Sequence, residues 1–199
     1  MKALLPTDKI VRLIIKDAKS VNFESDDDKF RSYLLTYPEF IRYFQKLPVI
    51  RCHNLIIAAN FTYGWIPSIT EFRKFQRKDF KEATTILNRV KAGNHVNEEN
   101  VKTLQALIDN SLIAVSKLLH FVNPNFYGIW DTNVSQYLTG SNSKSVKLYL
   151  QWLDVCQDLI KRPAIRGVVA AVNNELGYKV TPIRAIELVM FHKKMGGRR

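Results

Sequence analysis

Apolar residues in this chain recur at helical spacing, and no segment sustains the apolar–polar alternation of a strand. That feature restricts the fold more than any other. The clearest case is Ser111 to Val122, with apolar residues at 112, 113, 115, 118, 119, 121 and 122, a wide helical face. Asn123-Pro124-Asn125 then breaks the helix with turn chemistry. Asp131 precedes Thr-Asn-Val-Ser-Gln-Tyr-Leu, where an N-cap carboxylate belongs.

The same reading applied along the chain predicts about ten helices. Thr7 or Asp8 caps the first, whose apolar side is Ile10 to Ile15. Two short helices follow, Phe30 to Leu35 and Tyr37 to Leu47, separated near Pro38. Pro48 opens the next, which Gly64 and Pro67 end. A helix starts at Asn97 and runs into the 110–138 unit. Another covers Val146 to Ile160; Pro163 opens one that Gly177 stops; and Thr181-Pro182 starts the last. Thr139 to Ser143 is too short to be a linker between domains. The expected fold is all-α, one domain over residues 1–199, compact or in two lobes with an active site between them.

The formal charge is +12, from 30 Lys and Arg against 18 Asp and Glu. Such an excess attracts phosphate polymers. Arg73, Lys74, Arg77, Lys78 and Lys81 alternate with Phe72, Phe75 and Phe80, which predicts apolar anchors beneath a basic face. Cys52 and Cys156 make no disulfide framework. Neither a signal-peptide core nor an apolar run of membrane-spanning length is present. The expected location is cytoplasmic, or nuclear in a eukaryote.

Several chemistries have no motif here. There is no P-loop, no G-x-G-x-x-G and no G-x-S-x-G. His53, His95, His120 and His192 are scattered, and no metal-ligand spacing occurs, so neither metal nor cofactor is expected. What remains is Lys117 inside an apolar helix and Asp131 after the run Phe126-Tyr127-Gly128-Ile129-Trp130. An amine and a carboxylate, each held against an apolar wall, form a candidate reactive pair.

The stretch SKLLHFVNPNFYGIWDTNV resembles the helix-hairpin-helix DNA glycosylase superfamily, in particular compact oxoguanine-glycosylase-like members. In that superfamily a hairpin leads into a helix bearing the lysine of bifunctional enzymes, and a loop delivers an aspartate at the next helix start. Lys117 matches the lysine, and Asp131-Thr132-Asn133-Val134 matches the aspartate motif. The hairpin position holds Leu107-Ile108-Asp109-Asn110-Ser111-Leu112, without the glycines usual there, and the four-cysteine cluster of some members is absent.

The resemblance implies a partner, double-stranded DNA with one base flipped out, and an activity, excision of a damaged or modified base. Lys117 would be the nucleophile and Asp131 the electrostatic carboxylate. Candidate substrate-binding residues are Tyr63, Trp65, His120, Phe126, Tyr127 and Trp130, with Asn110, Ser111 and Asn133 joining the basic face in DNA contact. The alternative from the same residues is a non-catalytic nucleic-acid-binding module on that scaffold.

Overall fold

The computed structural model describes residues 3–23, 28–64 and 77–196. Among the described residues the secondary structure is ten α-helices and no strand. They are α1 (Thr7–Ala18), α2 (Asp28–Lys46), α3 (Cys52–Gly64), α4 (Arg77–Lys91), α5 (Glu98–Leu107), α6 (Leu112–Val122), α7 (Thr132–Thr139), α8 (Val146–Leu159), α9 (Ile165–Leu176) and α10 (Pro182–Gly196). No helix among them is long and apolar enough to cross a membrane.

Local chemistry explains several helix ends. Ser111, Asp131 and Ser145 each accept a hydrogen bond from a backbone N–H of the first turn they cap. Asn97 and Asn100 form a reciprocal capping box on α5. Gly140 and Gly177 close α7 and α9 in the left-handed conformation.

Three boundaries differ from the sequence expectation. The N-cap of α1 is Pro6, without a side-chain bond, so Thr7 and Asp8 lie inside the first turn. The helix after Pro48 begins only at Cys52, and Asn54 reaches back to accept the Arg51 N–H at 2.9 Å.

The third difference is larger: α2 runs unbroken through Pro38. A proline inside a helix frees the carbonyl four residues earlier. Here that carbonyl belongs to Leu34, and the Tyr178 hydroxyl donates to it at 3.0 Å. A partner from the far end of the chain thus supplies the missing hydrogen bond.

The helices pack in two groups. In one, α2 to α6 contact each other, with α6 at the centre; in the other, α10 contacts α7, α9 and α1. One continuous apolar core joins the groups and draws residues from all ten helices. Of the eleven residues of α6, ten are buried. A helix enclosed on every side has no solvent face, so Lys117 and His120 are buried by its position rather than by exception.

Candidate functional site

Lys117 and Asp131 line the same cleft, together with Phe30, Tyr33 and Leu34 of α2, Ile129, and Arg184, Glu187, Leu188 and Phe191 of α10. The cleft lies where α2 and α6 of one group face α10 of the other. Its volume is about 40 Å³, which at ~10–15 Å³ per solvent sphere is room for on the order of three waters.

The segment that delivers Asp131 is held at three points. The Tyr127 carbonyl lies 2.6 Å from His120 Nδ1. A carbonyl can only accept, so Nδ1 carries the proton and Nε2 accepts from the Tyr37 hydroxyl at 2.9 Å. The Ile129 N–H donates to Glu187 Oε2 at 3.2 Å. The Trp130 N–H donates to Ser116 Oγ at 2.9 Å. Ser116 and His120, one turn apart on α6, therefore flank Lys117 and fix the loop opposite it. Gly128 lies in this loop because a Cβ there would come within 2.7 Å of Trp152 Nε1.

The charges of the cleft are balanced: two cations, Lys117 and Arg184, against two carboxyl groups, Asp131 and Glu187. Lys117 is 9% exposed and Glu187 1%. Arg184 is ion-paired with Glu187, and its guanidinium lies 4.5 Å above the Tyr37 ring. Burial pushes the Glu187 carboxyl up to about 7; Arg184 opposes that shift and Asp131 adds to it.

Burial also raises Asp131 above the usual carboxylate range, against the pull of the Val134 N–H, Lys117, Arg184 and the Asn133 N–H. Asp131 Oδ1 accepts the Val134 N–H at 2.8 Å, and the side chain is half-buried at the cleft. Burial, followed by the Arg184 charge, drives His120 down to about 3, so its ring is neutral at ordinary pH.

The remaining sequence candidates fall elsewhere. Tyr127 and Trp130 are core residues; the Tyr127 hydroxyl donates to the Asn94 carbonyl at 2.6 Å and Trp130 Nε1 to the Ser143 carbonyl at 2.7 Å. Phe126 is half-buried against His95. His120 is committed to the loop. None of these four lines the cleft.

Asn133 is buried, and its Oδ1 has no hydrogen-bond partner among the described residues. Lys81 is exposed on α4. Trp65, Arg73 and Lys74, and the side chains of Tyr63, Arg77 and Lys78, lie outside the described residues.

Asn110 and Ser111 form the hairpin between α5 and α6. Asp109 and Asn110 take φ of 48° and 51° there, so two short polar side chains fill the left-handed positions in place of glycine. The Asn110 N–H is already bonded to the Gln105 carbonyl at 2.8 Å, and that of Ser111 to Ile108 at 2.9 Å.

The aromatic and charged wall from α2 and α10 was not among the sequence candidates. Its one sequence signal is Arg184 and Glu187, two charges in an otherwise apolar run from Ile183 to Phe191.

Among the described residues no three His, Cys, Asp or Glu side chains gather as a metal site would need. Cys52 is exposed and Cys156 buried. No family model matches this chain, and comparison with curated proteins and with solved structures gives no match either.

Proposed function

We propose that this chain is a DNA glycosylase with lyase capability that removes a damaged or modified base from duplex DNA. The observation that carries the reading is the joint placement of Lys117 and Asp131. They are fourteen residues apart on different elements, yet they line one cleft with apolar walls. The charge of +12 suits a phosphate polymer.

In this reading Asp131, made more basic by burial, takes a proton from the Lys117 ammonium. The neutral amine attacks the sugar C1′. The C1′–N bond breaks, its electron pair leaves with the base, and the base takes the proton that Asp131 had received, which returns Asp131 to its anionic form. The new C1′ amine then expels O4′, which accepts the amine proton as C=N forms. Asp131 also stabilises positive charge on the sugar. A flipped base is larger than the cleft, so Phe30 and Phe191, stacked 6.1 Å apart at its wall, must separate to admit one.

The test is a duplex panel carrying oxoguanine, uracil, alkylated and bulky bases, with borohydride trapping. Lys117→Gln abolishes the trapped adduct. Asp131→Asn slows excision roughly a hundredfold or more and keeps the fold, since Asn caps a helix about as well as Asp. No excision and no adduct across the panel refutes the reading.

The small volume of the cleft favours a second reading, a nucleic-acid-binding module without catalysis. Strong duplex binding with both residues dispensable supports it.

A further inference from the structure

Lys9, Arg12, Lys16 and Lys19 are spaced three, four and three residues apart, and all four are exposed. At 100° per residue they fall within one narrow strip of α1, away from Ile10 and Ile14, which are buried in the core. The strip is about 15 Å long, from ten steps of 1.5 Å.

Helix energetics do not account for it. Cations near a C-terminus are favoured, which covers Lys16 and Lys19, but Lys9 sits in the first turn, where a cation opposes the helix dipole. Each neighbour along the strip is a like charge at i,i+3 or i,i+4, an arrangement that repels. Some exposed cations elsewhere pair with carboxylates, Arg42 with Glu39 and Lys102 with Glu98, and others such as Lys81, Lys144 and Lys161 do not among the described residues; what sets α1 apart is four cations in one line. Among the described residues none of the four on α1 is in an ion pair. Asp8, placed four residues before Arg12, turns instead to Arg162, 3.5 Å away.

The chain that follows the strip also reaches the cleft wall. Past Lys19 the chain reaches Phe23, whose ring lies 6.0 Å from Phe30 on the cleft wall. Asp17, between Lys16 and Lys19, pairs with Lys193 at the end of α10.

We infer that the exposed strip Lys9–Arg12–Lys16–Lys19 is a track for the phosphate backbone of duplex DNA, running toward the cleft. About 15 Å covers roughly four steps of one strand at 3.4 Å each, about five phosphates for the four cations to reach. The track rests on the glycosylase reading only for the identity of the polymer and for what lies at its end.

The experiment measures duplex binding by the full chain across a salt series, for an undamaged and a base-modified duplex. The quadruple Gln variant at these positions is compared with a charge-matched control, Lys102, Lys144, Lys147 and Lys161 to Gln, and the double variant Lys9→Gln/Arg12→Gln repeats the test with less change. Four lost phosphate contacts flatten the slope of log K against log salt by up to about 3.6, and two by up to about 1.8. The expected result is a flattening of at least about one unit in the quadruple variant, a smaller one in the double, and little in the control. Equal loss in variant and control overturns the track, because the charge then acts diffusely. So does unchanged duplex binding with lost binding to anionic phospholipid vesicles, which makes the strip a membrane contact. Strip-dependent binding without excision removes only the glycosylase reading. No duplex binding at low salt removes both.

Discussion

Replacing Glu187 by glutamine tests whether burial or the Arg184 pair dominates the cleft. The Glu187 carboxyl is raised from an ordinary 4.5 to about 7. Between those values the native state holds a proton that the unfolded chain has released. Stability therefore falls as pH rises through that window, by about 3 kcal/mol at 1.36 kcal/mol per unit. His120 does the opposite. Its folded value is about 3 against an ordinary 6.5, so the unfolded chain binds a proton that the native state refuses. Stability rises with pH from 3 to 6.5, by about 5 kcal/mol. The two slopes cancel between pH 4.5 and 6.5, and these groups together give the unmutated protein a plateau there.

The Glu187→Gln variant would keep an acceptor for the Ile129 N–H and remove the falling limb. Relative to the parent, it should gain about 3 kcal/mol between pH 4.5 and about 7.5, on the order of 6–12 °C in Tm for a chain of this length. Asp131 titrates in both proteins. Urea unfolding of both proteins at four values spaced from about pH 4.5 to about pH 7.5 reads the difference directly. The competing expectation is explicit: removing one partner of a buried ion pair usually costs about 3–5 kcal/mol. A difference that moves against the glutamine variant as pH rises, or that does not change with pH, refutes the argument from burial.

Gly128→Ala places a Cβ 2.7 Å from Trp152 Nε1 and 3.1 Å from Cys156 Sγ, both fully buried, and should destabilise by roughly 1–3 kcal/mol in denaturant unfolding. A loss within the ~0.5 kcal/mol of an ordinary surface change would show that the loop yields easily. At the hairpin, Asn110→Gly should hold or raise stability while Asn110→Val lowers it by about 1–2 kcal/mol, because a β-branched residue resists a φ of 51°. Equal midpoints for the two variants would contradict that account.

Several local determinants were legible in the sequence, although the cap expected at Thr7 or Asp8 was not the one formed. The cap at Asp131, the turn at Pro124 and the stop at Gly177 each depend on residues within one turn. Pro38 misled because its effect is settled elsewhere. The carbonyl it frees is satisfied by Tyr178, 144 residues away, and no local rule anticipates that bond. The aromatics around Asp131 misled in a related way. Tyr127 and Trp130 sit next to the carboxylate in sequence, but their polar tips bond to Asn94 and Ser143, so their rings are consumed by the core. Neighbours in sequence point to opposite sides of a loop, and the cleft took its walls from α2 and α10 instead.

Lys117 stood out because every neighbour on its helix is apolar or small, apart from His120. Arg184 and Glu187 did not, because an Arg and a Glu three residues apart also describe an exposed helical pair, worth under about 1 kcal/mol. Burial separates the two cases, and burial here comes from the packing of α10 against α7, α9 and α1. That same packing makes the cleft electrically self-contained. Lys117 and Arg184 share the cleft with Asp131 and Glu187; Lys117, Arg184 and Glu187 are buried, while Asp131 is half-buried. In the proposed reaction Asp131 takes a proton from Lys117, and burial favours that step by raising its carboxyl. Arg184 holds the Asp131 and Glu187 carboxyls down and Asp131 pushes Glu187 up, so removing Arg184 or Asp131 alters the carboxyl that remains. The proposed reactive pair therefore shares its cleft with two more charged groups, and substitutions at Glu187 or Arg184 should shift the pH profile of whatever Lys117 and Asp131 do.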